Sequence, residues 1–195
     1  RGKTLGGSSS INGLLYIREQ EQDNDIWRQL GNKGWGWNDV LPYFLKSENQ
    51  ERGQSNYHGV GGPLSVADQR IKLSILDAFM NAAEEVGIPK VNDFNKGDNF
   101  GCGYFQVTEK NGLRCSAAVG YLNPIKKRKN LEIKTKCHVE KINFDGKKAI
   151  SVSFWKDNNS LTIKANKEII LSAGSIGSAQ ILQTSGIGDG NKLSQ

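Results

Sequence analysis

Residues 2–13 read GKTLGGSSSING, and this stretch is the strongest indication of how the chain folds. The adjacent glycines Gly6 and Gly7 allow a tight turn and a close approach of the backbone to a ligand, because glycine has no Cβ atom. The hydroxyl groups of Ser8, Ser9 and Ser10 can donate to a phosphate or cap a following helix. A glycine–serine loop is more often a connector than a phosphate cradle, so the residues alone leave both interpretations open.

A second informative stretch lies near the other end of the sequence. Residues 168–172 are nearly continuous in apolar side chains, which predicts a strand buried on both faces. Ala173, Gly174 and Ser175 follow, and then a helix is predicted over 176–183. A strand that leads through small residues into a helix N-terminus places amide groups where they can face an anion. The fold class predicted from these patterns is α/β, with α+β character, in a chain that holds pieces of two domains.

The remaining pattern predicts short elements separated by polar loops. Loops are predicted over 50–62 and 93–104, a short strand over 64–66, and a β-meander from the alternating runs 131–135, 139–144 and 150–155. Turns are predicted at 145–146 and 157–159. Helical spacing and capping residues predict helices over 14–21, 25–30, 39–48, 74–86 and 114–122.

Composition narrows the function classes. The net charge is +6, and 36% of residues are hydrophobic, with no apolar run near the ~20 residues of a membrane span, so no transmembrane segment is predicted. The densest basic cluster, residues 126–129, has no interleaved aromatic residues, which favours a solvated turn over a nucleic-acid site. The sequence begins at Arg1 and ends at Gln195 without the marks of natural termini, so we expect a piece of a longer chain.

Cysteines and histidines indicate no catalytic or metal site by their spacing. The three cysteines, Cys102, Cys115 and Cys137, form no CxxC pair. We therefore predict free thiols and do not predict a metal site. His58 lies in a polar glycine loop and His138 at a strand start, and both are interpreted as ordinary surface histidines rather than catalytic bases. The dinucleotide fingerprint GxGxxG, the P-loop, HExxH and GxSxG do not occur.

The sequence resembles the glucose–methanol–choline (GMC) oxidoreductase family along essentially its whole length. Residues 2–13 match the core of the first family signature, G-x-x-L-G-G-S-S-x-x-N-G, and residues 174–188 resemble the second. The motifs between them keep the family's order: Trp35 and Trp37, then 41–44, 57–59, 62–64, 112–116 and 121–122. The runs 16–18 and 57–59 are most similar to the choline dehydrogenase and alcohol dehydrogenase branch.

The resemblance implies a set of FAD-binding residues. In the first signature, Ser8 matches the residue near the pyrophosphate, while Asn12 and Gly13 match the pair beside the flavin. Ile11 stands where some members carry the histidine that tethers FAD, so the resemblance implies non-covalent FAD. Ala179 departs from the more usual proline or serine of the second signature. The cofactor-binding positions implied in full are Gly2, Gly7, Ser8, Asn12, Gly13, Leu15, Val139 (through its backbone, to the adenine), Ala173 and Gly174.

The resemblance also implies an organisation and an activity. Residues 1–40 and 126–195 would belong to the FAD-binding domain and residues 41–125 to the substrate domain. The implied reaction is oxidation of a CH–OH group in choline or another primary alcohol, with hydride transfer to flavin N5. The family's C-terminal catalytic histidine has no counterpart among these residues, so no catalytic residue is assigned and the chain alone is expected to be inactive.

Alternatives and context follow from the same reasoning. A GMC-type oxidase or lyase, or a non-enzymatic basic binding module, are the other functions left open. The expected partner is a small-molecule alcohol, with the electron acceptor undetermined and no nucleic acid involved. The expected location is the cytoplasm or the periphery of a membrane.

Overall fold

A computed structural model describes residues 1–193 of the chain, which divide into two compact units. The first unit is Arg1–Leu131, and the second begins at Glu132. Both units combine helices with strands, so the predicted mixed class is confirmed. The division into segments 1–40, 41–125 and 126–195 stays a prediction.

A four-stranded sheet organises the first unit. The six strands of the unit are β1 Leu15–Tyr16, β2 Glu48–Gln50, β3 Leu64–Asp68, β4 Gln106–Val107, β5 Glu109–Lys110 and β6 Leu113–Arg114. The strand order of the four-stranded sheet is β1-β4-β3-β2, with β2 and β3 parallel and the other pairs antiparallel. A small antiparallel pair, β5 and β6, follows β4 directly.

Three α-helices accompany this sheet: α1 Glu21–Gln29, α2 Trp37–Ser47 and α3 Ser74–Glu85. Side-chain carboxylates define where the first two begin: Asp23 accepts from the Gln20 N–H at 3.0 Å, and Asp39 accepts from the Gly36 N–H at 3.1 Å. Beyond the end of α3, Gly87 has a φ of 88°, the left-handed conformation that glycine adopts most readily. A 3₁₀ turn at Gly7–Ser10 and a π-helical turn at Ala118–Leu122 complete the unit.

Three predicted helices of the first unit are wrong in part or in whole. The helix predicted over 14–21 is absent, since Leu14 has a φ of 69° and Leu15 and Tyr16 pair with Val107 and Gln106. The next helix begins at Glu21 rather than near Asp25, because the cap formed by Gln20 and Asp23 adds a turn. Of the helix predicted over 114–122, only 118–122 is helical, and Arg114 belongs to a strand.

The second unit is an antiparallel meander followed by two helices. Its strands are β7 His138–Asp145, β8 Lys148–Lys156 and β9 Asn159–Lys164, in the order β7-β8-β9, and its helices are α4 Ser175–Thr184 and α5 Gly190–Leu193. The meander is confirmed over 139–144 and 150–155, but its third strand is 159–164 rather than 131–135. Asp157 and Asn158 have positive φ values of 49° and 62°, as a tight hairpin turn between right-twisted strands requires.

The strand predicted over 168–172 is not formed. Ile170 is 79% exposed, and no strand of the second unit's described residues hydrogen-bonds to this segment. A strand exists only where a neighbour completes its backbone hydrogen bonds, so the apolar run by itself does not produce one. The helix predicted over 176–183 is confirmed as α4.

Each unit has its own small core. Trp37, Val66 and Val107 are buried in the first, and Ile142 and Phe154 in the second. None of the helices in residues 1–193 has the length and apolar character needed to cross a membrane. The cysteines are free, and the basic cluster 126–129 lies in an exposed turn.

Candidate functional site

The glycine–serine loop, residues 2–13, turns through two glycines in left-handed conformation. Gly6 has a φ of 87° and Gly7 a φ of 55°, values that residues with a Cβ rarely adopt. They lead into the 3₁₀ turn, after which the N–H groups of Ile11 and Asn12 both donate to the carbonyl oxygen of Ser8, at 3.1 and 2.9 Å. The loop is therefore ordered by its own backbone hydrogen bonds.

The three serines of the loop differ in what their hydroxyl groups can still do. Ser9 donates to the carbonyl oxygen of Gly6 at 2.5 Å, and Ser10 donates to that of Leu5 at 2.8 Å. Ser8 Oγ accepts from the Gly2 N–H at 3.3 Å and donates to no group within residues 1–193. Ser8 is therefore the serine whose hydroxyl proton remains available to a ligand, which the sequence alone could not distinguish.

The glycines at positions 2, 7 and 13 have different surroundings. A Cβ atom at Gly2 would lie 2.2 Å from the carbonyl oxygen of Gly7, so only glycine allows the backbone at these two positions of the loop to pack in contact. At Gly7 and Gly13, by contrast, a Cβ atom would meet nothing within 4 Å. These two glycines border open space where a ligand could approach the backbone closely.

Five of the predicted cofactor positions thus lie together on one loop: Gly2, Gly7, Ser8, Asn12 and Gly13. The sixth in this unit, Leu15, follows in β1 at the edge of the four-stranded sheet, paired with Val107. Its side chain is half exposed, and one side of its backbone is occupied by β4.

The side chain of Asn12 is held in one orientation. Its Oδ1 accepts from the Leu14 N–H at 3.2 Å and from Arg114 Nη1 at 2.7 Å. Arg114 Nη2 also donates to the carbonyl oxygen of Asn12 at 2.8 Å, and Nη1 donates to that of Ser9 at 3.1 Å. The sequence singled out Arg114 only as part of a family motif and did not assign it a role.

The three remaining predicted positions lie in the second unit. Val139 is in the edge strand β7, opposite Phe154 of β8. The last turn of α4 covers a later part of that edge: Ser185 Oγ accepts from the Ile142 N–H, and Thr184 Oγ1 donates to the Glu140 carbonyl oxygen, each at 2.8 Å.

Ala173 and Gly174 form the turn that opens α4. Gly174 has a φ of 84°, and a Cβ atom there would meet nothing within 4 Å. The Ala173 N–H donates to Ser178 Oγ at 3.0 Å, which closes the turn. The first N–H groups of a ten-residue helix such as α4 have no carbonyl partner within the helix and lie at its positive end. This turn can therefore accept an anionic group, such as a phosphate.

A buried charged network in the first unit was missed by the sequence interpretation. His58, taken for a surface residue, is only 6% exposed, and it lies between two buried carboxylates. Its Nδ1 is 3.0 Å from Glu48 Oε1, and its Nε2 is 2.8 Å from Asp93 Oδ2. Arg18, also buried, donates to Glu48 Oε2 at 2.9 Å. Two cations and two anions therefore neutralise one another in the interior.

The network shifts the pKa values of its members. Burial alone would lower the pKa of His58, but hydrogen bonds to Asp93 and Glu48, together with their negative charges, raise it to about 9. Burial alone would raise the pKa of Glu48, but the hydrogen bonds from His58 and from the Gly59 N–H, with the nearby Arg18, lower it. The pKa of Asp93 is lowered for the same reason, by His58 and the Asn95 N–H.

His58 is consequently a structural cation rather than a free base. Both of its ring nitrogens face a carboxylate, and only the doubly protonated ring can donate to both. No local sequence pattern predicts this network, because its four residues come from separate segments at positions 18, 48, 58 and 93.

The loop and the α4 turn share one chemical property: each presents hydrogen-bond donors beside open space. Ser8, Asn12 and the first turn of α4 offer hydroxyl, amide and backbone N–H donors, while Gly7, Gly13 and Gly174 leave room for close approach. Such donors suit the phosphates and ring acceptors of a nucleotide cofactor.

Comparison with known proteins gives a consistent picture. A profile of the GMC oxidoreductase family matches residues 1–195. The chain is 40% identical over 198 residues to an alcohol dehydrogenase [acceptor] from Pseudomonas putida, a match that covers 100% of the chain and 36% of the relative. It is 43% identical over 192 residues to an oxygen-dependent choline dehydrogenase from Pectobacterium atrosepticum, which covers 96% and 34%. The chain therefore spans about a third of the length of these relatives.

A solved structure extends the similarity to the fold. The FAD-dependent oxidoreductase from Chaetomium thermophilum superposes with a TM-score of 0.89 at 34% sequence identity. The superposition covers 96% of the chain and 35% of that protein.

Proposed function

Since the chain belongs to the GMC oxidoreductase family, we propose that it serves an enzyme that oxidises the CH–OH group of an alcohol. The chain is part of the family's FAD-binding domain, and its cofactor is FAD. The names of the two relatives, an alcohol dehydrogenase and a choline dehydrogenase, support choline or another primary alcohol as the substrate class. The observation that carries the proposal is the glycine–serine loop, where five expected cofactor residues lie together and two of them, Gly7 and Gly13, border open space.

Each part of the loop has a distinct task in this proposal. The free hydroxyl proton of Ser8 donates to a phosphate oxygen, while Gly7 and Gly13 let the cofactor reach the backbone. The amide of Asn12, held by Arg114 and Leu14, faces the flavin ring. When bound, FAD supplies the acceptor for the hydride of the alcohol. Ile11, a hydrocarbon side chain that is 59% exposed, offers no atom for a covalent link, so FAD is held non-covalently.

The proton of the alcohol goes to a base that belongs neither to the glycine–serine loop nor to the buried charged network around His58. His58 is enclosed by Glu48 and Asp93 and already protonated at neutral pH, so it has no free nitrogen to accept a proton. We therefore assign the base to the part of the enzyme that lies outside this chain.

The proposal is tested in the complete flavoprotein that carries this segment. The purified protein is expected to show flavin absorbance, and a primary alcohol such as choline should bleach that absorbance under anaerobic conditions. A colourless protein that binds no added FAD, or a bound flavin that no primary alcohol reduces, would contradict the proposal.

Gly13→Ala examines the loop itself. The added methyl group meets no protein atom, so thermal stability without FAD should be unchanged, but the methyl occupies space assigned to the cofactor. FAD affinity should fall by about tenfold or more, as for one misplaced methyl group in a binding pocket. Gly190→Ala, which also meets no atom within 4 Å, is the matched control and should leave FAD affinity unchanged. Equal FAD affinities in Gly13→Ala and Gly190→Ala would show that the cofactor does not bind against Gly13.

A further inference from the structure

Arg114 contacts the glycine–serine loop from a distant part of the sequence. It ends strand β6, and its guanidinium makes three hydrogen bonds, all to oxygen atoms of Ser9 and Asn12. Two of them reach the backbone carbonyl and the side-chain oxygen of Asn12, at 2.8 and 2.7 Å. Because a guanidinium is a rigid planar fork, this grip fixes the main chain and the side chain of Asn12 together.

The grip determines which way the Asn12 amide faces. Two donors, Arg114 Nη1 and the Leu14 N–H, converge on a single atom of the amide, and only an oxygen can accept from both. The NH₂ group must therefore be on the other side. It has no acceptor in the part of the chain that the structure describes, and Asn12 is exposed. The amide thus presents two unused donors away from the protein.

The charge of Arg114 reinforces this arrangement. Arg18, Arg52 and Arg70 each form an ion pair with a carboxylate, but no carboxylate in residues 1–193 lies within 4.0 Å of the Arg114 guanidinium. Its positive charge therefore acts on the Asn12 amide without being neutralised by a neighbouring anion. A cation that draws electron density from the amide oxygen makes the opposite N–H groups stronger donors, because linked hydrogen bonds polarise one another.

We propose that Arg114 is a positioning residue, which orients and polarises the Asn12 amide so that it donates to an acceptor atom of the flavin ring. This inference rests on the proposed function and adds to it a residue outside the glycine–serine loop. A hydrogen bond donated by the Asn12 amide to the flavin ring favours the reduced flavin, because the reduced ring carries more electron density. Arg114 should therefore raise the flavin midpoint potential and speed the reduction of the flavin by the alcohol.

The test uses the complete flavoprotein and three variants. Arg114→Met removes the fork, Arg114→Lys keeps the charge as a point donor, and Asn12→Asp keeps an acceptor for Arg114 but removes the NH₂ donors. Flavin absorbance, midpoint potential and anaerobic reduction rate are measured for each. Arg52→Met is the matched control, because Arg52 is paired with Asp68 and has no contact with the loop.

Arg114→Met is expected to retain FAD and to reduce it about tenfold more slowly, the effect of losing one hydrogen bond that involves a charged group. Asn12→Asp loses the NH₂ donors and adds a negative charge, so it should retain FAD and slow its reduction at least as much. A tenfold change in the two-electron equilibrium lowers the midpoint potential by about 30 mV. Arg114→Lys should not restore the wild-type potential, since an ammonium group cannot span both oxygens of Asn12. A fourth substitution, Asn12→Ala, removes the amide altogether, and Arg114→Met should add nothing in that background, as expected for two residues that act as a unit.

The outcomes separate this inference from the proposed function. If wild-type protein binds no FAD, the proposed function fails. If wild-type protein binds FAD and is reduced by alcohol, but Arg114→Met has the potential and the rate of Arg52→Met, the inference is overturned. If Arg114→Met does not fold, Arg114→Lys decides, and a midpoint potential equal to that of the wild type in that variant also overturns the inference.

Discussion

Replacement of His58 by glutamine removes the cation that lies between two buried carboxylates. Glu48 is completely buried and Asp93 is 8% exposed, so neither can recover hydration in the folded chain. Glutamine can donate to one of them but carries no charge to offset either. The perturbation therefore leaves a net negative charge in the interior, which is strongly destabilising.

The magnitude follows from the proton affinity of the ring. The pKa of His58 is raised from 6.5 to about 9, and one pKa unit corresponds to about 1.4 kcal/mol. The folded chain therefore favours the imidazolium by about 3 kcal/mol, which agrees with the roughly 3–5 kcal/mol lost when one partner of a buried ion pair is removed.

The same shift gives the direction of the pH dependence. Below pH 6.5 the ring is protonated in both the folded and the unfolded chain, so the stabilisation is fully present. Between pH 6.5 and about 9 the unfolded chain releases the proton while the folded chain keeps it, so the stabilisation falls. Above pH 9 it is lost.

Urea unfolding of the complete flavoprotein at pH 6, 7.5 and 9.5 measures how much His58 contributes to the free energy of unfolding at each pH. His58→Gln should be about 3 kcal/mol less stable than wild type at pH 6, and the difference should shrink at pH 9.5. His138→Gln, the same substitution at an exposed histidine, is the control and should lie within about 0.5 kcal/mol of wild type. The reasoning would be refuted by equal stability of the two variants at pH 6, or by a difference that does not change with pH.

Two further predictions concern packing, and unfolding free energies check both. Trp37 is 5% exposed and packs on Phe44, so Trp37→Ala should lower the free energy of unfolding by about 3–5 kcal/mol. Trp35 is half exposed, so Trp35→Ala should lower it by about 1 kcal/mol, the value of the pairing with Trp27. Equal losses in the two variants would contradict the assignment of Trp37 to the core. Ser185→Ala leaves the buried Ile142 N–H without its acceptor and should lower the free energy of unfolding by about 1–3 kcal/mol. Ser160→Ala, on an exposed strand, is the control and should leave the stability unchanged. An unchanged stability in Ser185→Ala would show that this contact does not hold α4 to β7.

Elements whose formation depends on neighbours in the sequence were predicted well. Helix α3 was predicted over 74–86 and is Ser74–Glu85, because its apolar face and the following Gly87 are both local signals. Helix α4 and strands β7 and β8 were predicted for the same reason. The glycine–serine loop was also recognised from its residues, since the requirement for glycine at a close approach or a positive φ is a property of single positions.

Elements that depend on distant partners could not be predicted. Strand β1 exists because residues 15–16 pair with residues 106–107, and the apolar run 168–172 is not a strand because it lacks such a partner among the described residues. His58 was expected at the surface, yet Glu48 and Asp93 make it a buried cation.

The amino-acid sequence by itself determined the family, the cofactor class and the loop that carries most of the expected cofactor contacts. Only the tertiary structure decided that Ser8, among the three serines of the loop, has a hydroxyl proton without an acceptor in residues 1–193, that Arg114 orients Asn12, and that His58 is charged. The physical reason is that a backbone conformation or a helical face depends on residues a few positions apart. Hydrogen-bond orientation and proton affinity depend instead on the groups that folding brings together from far along the chain.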